Sequence, residues 1–234
     1  MQEKSKANQT ELFIPWKEAP VKATQENPYR EGPALDRKGR VTGKAPEYDG
    51  DDETKKRAVL DYYDLCRMAP VARKHPKIVR WLMKFLKLDD VNYFHHRNLN
   101  TPGAPFVRGI LDDFRISVRV DNAQVLEHLP EGAFITVSNH PFGAVDGIML
   151  IDLFASRRED YKVMVNLILN HIRGMRPNFI AVDPLASDNP EKRAITMRGI
   201  KEAMIHVKRG HPLGFFPAGA MSKLNGRLQL EDRQ

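Results

Sequence analysis

Cysteine is nearly absent. Cys66 is the single one in 234 residues, so no internal disulfide can staple the chain. No uninterrupted apolar run approaches the ~18–20 residues that a membrane-spanning helix requires, and the opening MQEKSKANQT lacks the apolar core of a secretory signal. A cytoplasmic chain that crosses no bilayer is therefore expected. His95 and His96 stand side by side without an accompanying cysteine or acid cluster, and adjacent side chains rarely ligate one ion, so no metal site is expected. No internal repeat is present.

What the chain does have is positive charge: 37 Lys and Arg against 30 Asp and Glu give a formal +7. Such a balance favours nucleic acid, an anionic membrane surface or an acidic small molecule as partner. No nucleic-acid-binding motif accompanies the cations, so nucleic acid is not expected. With 41% hydrophobic and 29% charged residues, the length suits one sizeable core plus an extension.

Composition divides the chain into three parts. Residues 1–55 form a polar arm whose apolar content is almost confined to LFIPW at 12–16, too little for a core of its own. The arm is expected to be poorly ordered, or docked through that anchor. Residues 56–100 form an amphipathic helical pair. Its first helix, TKKRAVLDYYDLCRM at 54–68, stops before Pro70 and holds Cys66 among Tyr63, Leu65 and Met68, the setting of an inert buried thiol. In the second, at 100° per residue, Arg73, Lys77, Arg80, Lys84 and Lys87 share one side while Ile78, Val79, Leu82, Phe85 and Leu86 share the other. Six cations and no acid lie between Arg73 and Lys87. Two uses of the apolar side stay open: contact with the core, or burial in a membrane interface of anionic lipid.

Residues 101–234 alternate short apolar runs with helical patterns. Strands are expected at 115–120, 133–138, 161–166, 178–182 and 212–217, with helices near 123–128, at 147–155 and at 189–210. Strand-helix alternation predicts an α/β fold, a layered αβα domain with a mostly parallel central sheet. Ligands of such sheets bind at the carboxyl ends of the strands. There the stretch SNHPFGAVDG (138–147) follows an apolar strand. Pro141 and Gly143 let it turn sharply, and Asp146 falls in the first turn of the next helix, from which a carboxylate can reach back to His140. The pair is read as a base and the acid that orients it.

NHPFGAVDG resembles the first block of the glycerolipid acyltransferase family, and within it the ornithine-lipid and aminoacyl-lipid branch often labelled hemolysin. FFPAGAMS (215–222) is similar to the third block and NFIAVDP (178–184) to the second. The resemblance implies a peripheral membrane O-acyltransferase on the inner face of the membrane. It would move a fatty acyl group from an acyl carrier protein or coenzyme A thioester, acyl-ACP or acyl-CoA as co-substrate rather than bound cofactor, to the hydroxyl of a lyso-lipid acceptor. His140 and Asp146 become the catalytic pair, and Asn139, Gly143, Phe216, Pro217, Gly219, Ala220, Ser222, Lys223 and Arg176 the substrate-binding set.

The sequence also departs from that pattern. Five residues, not four, separate His140 from Asp146, and Pro184, Ala218 and Met221 replace the second block's arginine and the third block's glutamate and arginine. Since guanidinium forks hold phosphates well, the acceptor is expected to lack a glycerol phosphate head, as a lyso-aminoacyl lipid does. The family pattern continues into a fourth block, so a C-terminally truncated domain is an open alternative. Two further readings stay open: a non-catalytic protein that binds lipid or acyl carrier, and a thioesterase-like hydrolase using water at the same base.

Overall fold

The computed structural model describes residues 32–45, 58–183, 190–219, 222–224 and 230–231. The apolar anchor at 12–16, Pro184 of the second block and residues 185–189 lie outside these.

Four short strands build one parallel sheet: β1 (Ile135–Val137), β2 (Lys162–Asn166), β3 (Phe179–Val182) and β4 (Leu213–Phe215), in the order β1-β4-β2-β3. Parallel strands need crossovers, which cover both faces and make the strands apolar on both sides. On one face, Tyr161, Val163, Val165 and Phe179 meet Phe106, Val107 and Ile110 of helix α4 (Ala104–Asp113). Leu150 of α5 (Ala144–Leu150) and Ile151 of its π-helical continuation (Ile151–Ala155) join the same cluster. On the other face, Ile180 and Leu213 meet Ala203 of α6 (Pro190–Lys208). Helix α6 lies very close: a Cβ built on Gly199 would stand 2.3 Å from the carbonyl oxygen of Ala181. The αβα layering expected from the sequence is what the chain adopts.

Preceding the sheet are α1 (Tyr62–Met68), α2 (Pro76–Phe85) and α3 (Leu88–Asn98). The first helix is shorter than its sequence pattern, because Asp61 and Asp64 form a reciprocal capping box that starts it at Tyr62. Cys66 is buried within it. Lys87, at φ 51°, breaks α2 from α3. The breakpoint matters for α2, whose apolar side faces outward: Ile78, Trp81, Leu82, Phe85 and Leu86 are exposed and only Val79 is buried. Of the two uses left open by the sequence, core contact is met among the described residues by Val79, the one buried residue of that side. Trp81 (64% exposed) and Phe85 (69% exposed) stack on each other with ring centroids 5.4 Å apart.

Helices α3 and α4 were not legible as such. Helix α4 begins at Gly103, held at φ 85°, with a proline in its first turn, and packs its Phe106, Val107 and Leu111 inward. Helix α3 buries Tyr93, Phe94, His95 and His96, with His95 edge-on to Phe106 at 5.4 Å. Residues 32–45 join the same cluster through buried Ala34, and the guanidinium of Arg97 donates to the carbonyl of Gly32 at 2.6 Å. The strand expected at 115–120 is not formed. Arg115 turns the chain at φ 57° and donates to the carbonyls of Leu35 and Asp36, and no ladder partner appears among the described residues.

Tyr161, wholly buried, shares a 2.6 Å hydrogen bond with the Thr136 hydroxyl and so ties β2's entry to β1. Burial pushes its phenol from 10.0 up to about 12, against a smaller downward pull from Thr136. Between those values the unfolded chain loses a proton that the folded chain keeps, so stability falls as pH rises through the window, by about 2–3 kcal/mol. Urea unfolding followed from pH about 9 to about 12 should show that loss in the wild type, and Tyr161→Phe should flatten it. An identical alkaline slope in the variant would assign the loss to other groups.

Candidate functional site

Strand register brings the site together. Val137 pairs with Phe215 in the parallel β1–β4 ladder, and Ser138 N–H still donates to the Phe215 carbonyl at 3.4 Å. Two residues further, where β1 has ended, His140 meets Phe216, the first residue past β4. Their rings stack with centroids 4.1 Å apart and planes 24° from parallel. The backbone is pinned as well: Ser222 N–H donates to the His140 carbonyl at 3.0 Å. The third-block segment therefore holds the histidine from two sides.

Gly143, at φ 65° and ψ −122°, caps α5 in a conformation that a Cβ would disfavour. That turn sets Asp146 in the first helical turn, where its side chain is 8% exposed. One carboxylate oxygen, Oδ2, accepts from His140 Nδ1 at 3.0 Å and from Phe142 N–H at 2.9 Å. Since an ionised carboxylate only accepts, Nδ1 is the donor of this bond, which in the neutral ring leaves the lone pair on Nε2. The His140 side chain is 20% exposed, so the second nitrogen belongs to a ring that solvent reaches. The extra residue between His140 and Asp146 is absorbed by the turn, whose amide at Phe142 gives the carboxylate its second donor. Such an arrangement can remove a proton from a hydroxyl at the rim of the sheet and return it to a leaving group.

The other expected site residues are dispersed. Asn139 and Pro217 are exposed beside the pair, and Phe142 stands 65% exposed next to it. Gly219, at φ 62°, donates its N–H to the Phe216 carbonyl at 3.0 Å, which closes the third-block turn. Lys223 opens strand β5 (Lys223–Leu224), which pairs with β6 (Leu230–Glu231) in an antiparallel ribbon. Ala220 and Met221 lie outside the described residues. Arg176 sits on the β2–β3 connection, two places from β1 in the sheet, and donates to the Asn170 carbonyl at 2.7 Å. Sequence reasoning missed the Phe142 amide and the Ser222 amide as supports of the pair. A backbone donor leaves no residue-type signal.

Comparison with known proteins returns one theme. A family model described as acyltransferase matches residues 65–231. A lyso-glycine lipid O-acyltransferase from Bacteroides thetaiotaomicron is 32% identical over 120 residues, 49% of this chain and 43% of that protein. One from Phocaeicola vulgatus is 26% identical over 160 residues, 66% of this chain and 54% of that protein. The chain thus spans about half the length of the curated relatives it matches. No solved structure matches it.

If Asp146 selects the ring tautomer, ¹⁵N-detected NMR should find His140 protonated at Nδ1 in the neutral form. Asp146→Ala should redistribute that proton toward Nε2. A ring that is Nε2-protonated in the wild type would break the assignment.

Proposed function

This chain belongs to the acyltransferase family, and from that premise we propose that it is a peripheral membrane O-acyltransferase acting on a lyso-aminoacyl lipid. The observation that carries the proposal is His140, hydrogen-bonded to Asp146 at the carboxyl end of a parallel sheet with its side chain 20% exposed. In the reaction the acceptor's hydroxyl oxygen attacks the thioester carbonyl while His140 Nε2 takes the hydroxyl proton. The tetrahedral intermediate then expels the thiolate, which receives that proton from the imidazolium. A C–O bond forms, a C–S bond breaks, and no acyl-enzyme is needed. Asp146 holds the ring and stabilises its charged form. The amides at Gly219 and Ala220 are the proposed oxyanion donors, and that of Gly219 would have to leave the Phe216 carbonyl to serve.

The acceptor follows from what the site lacks and what its relatives are called. Pro184 and Met221 stand where the family pattern has the arginines that would grip a phosphate head, and both relatives carry a lyso-glycine lipid in their names. The acyl donor is a thioester on acyl carrier protein or coenzyme A.

Membrane attachment is assigned to α2. Its exposed apolar residues recur at i, i+3, i+4, i+7 and i+8, and Arg73, Lys74, Lys77, Arg80, Lys84 and Lys87 lie along the same segment with no acid among them. Among the described residues no helix is long and apolar enough to cross a membrane, which suits a helix lying in the interface. Roughly 1 kcal/mol per cation near an anionic surface adds to the apolar burial.

Purified full-length protein supplied with acyl-ACP or acyl-CoA and a panel of lyso-lipids tests the reaction. The lyso-glycine lipid should outcompete lysophosphatidate, and His140→Ala should lower transfer by about 10²–10⁴-fold. Preference for lysophosphatidate over every aminoacyl lipid would overturn the acceptor. Release of free fatty acid without transfer would make the protein a hydrolase.

Attachment is tested separately by co-sedimentation with vesicles of anionic phospholipid. Trp81→Glu combined with Phe85→Glu should weaken binding by about 10²-fold or more. Unchanged sedimentation of that variant would move the contact elsewhere.

A further inference from the structure

A second apolar surface occupies the opposite layer of the molecule. On α6, Met197, Ile200 and Met204 recur at i, i+3 and i+7 and stay exposed, while Gly199 and Ala203 pack onto the sheet. Met197 is 64% and Met204 55% exposed. With Arg198 and Lys201 these three side chains line an open depression. Arg193, Lys208 and Arg209 continue the positive charge, and the one acid between 193 and 209, Glu202, lies 3.4 Å from Lys162.

This surface differs from the one on α2. It carries no tryptophan or phenylalanine to anchor at a lipid headgroup. Its apolar atoms are mostly methionine, whose unbranched, polarizable side chain adapts to protein partners. It also covers the sheet face away from α4 and the helices packed on it, so a bilayer engaging α2 leaves it open to a second partner. An exposed methionine stripe with five flanking cations and one engaged acid complements an acidic, amphipathic protein surface.

We infer that this depression on α6 docks a small acidic acyl carrier protein, which delivers the acyl thioester on its pantetheine arm. The inference rests on the acyl-transfer reading and chooses between its two donors. Position supports it. The Thr196 hydroxyl donates to the carbonyl of Asp183 at 2.8 Å and accepts from its N–H at 3.1 Å, immediately past the end of β3. Met197 and Arg198 therefore stand level with the carboxyl ends of the strands, where His140 lies. Three strand spacings, about 14 Å, separate β3 from β1. A flexible arm crosses such a gap, whereas a directly docked head group does not. The five cations draw the carrier in, and the methionine stripe holds it.

The test compares wild type with Arg198→Glu/Lys201→Glu, and independently with Met204→Asp, all at exposed positions away from His140. Transfer is measured from acyl-ACP and from acyl-CoA of the same chain length, and apo carrier binding by calorimetry. Both variants should raise KM for acyl-ACP about tenfold or more and weaken carrier binding in parallel, with kinetics on acyl-CoA and binding to anionic vesicles unchanged. Unaltered carrier binding in both variants, equal losses with both donors, or a loss of vesicle binding in place of carrier binding would overturn the docking site. Carrier binding that is sensitive to these substitutions in a protein that transfers from neither donor would keep the docking site and overturn the enzymatic reading.

Discussion

Everything at the rim of the sheet depends on one carboxylate oxygen accepting two hydrogen bonds. Asp146 Oδ2 binds His140 Nδ1 and the Phe142 amide together. Hydrogen bonds to a charged acceptor contribute about 1.5–3 kcal/mol each, and here they close the backbone turn and orient the ring in a single stroke. Gly143 makes the turn, α5 places the carboxylate in its first turn, and the β1–β4 register sets Phe216 under the imidazole. Any change that shifts β1 against β4 would move the ring off its partner. The Thr136–Tyr161 bond between the two parts of the sheet entry is therefore connected to the site it does not touch.

The two outer layers of the molecule divide the proposed partners between them. A cationic helix with exposed aromatics lies over the α4 side, and a cationic helix with exposed methionines covers the other. In the proposed reaction the acceptor would enter from lipid and the donor from the aqueous side, meeting at the carboxyl ends of the strands beside His140.

Much of this was legible in the residues. The strands expected at 161–166, 178–182 and 212–217 form at Lys162–Asn166, Phe179–Val182 and Leu213–Phe215, and the His140–Asp146 pairing expected from the proline and glycine between them is present. The alternation of Arg115 to Val120 mimicked a strand, yet Arg115 is drawn off by the carbonyls of Leu35 and Asp36, a long-range contact that a local pattern does not contain. Helix α3 buries polar residues such as His95, His96 and Asn98, which defeats a reading by hydrophobic period. Helix α4 hides behind a Pro-Gly pair that reads as loop. The outward turn of α2 was undecidable because amphipathicity states that a face is apolar and leaves open what it meets.

The most direct test of the central claim is a double-mutant cycle on acyl transfer with His140→Ala, Asp146→Ala and the two combined. If the pair acts as one unit, the double variant should transfer no more slowly than His140→Ala alone, since the carboxylate has no role once the ring is gone. Losses that multiply, with the double variant slower by the product of the two single effects, would show that the carboxylate and the ring work separately and would contradict the account.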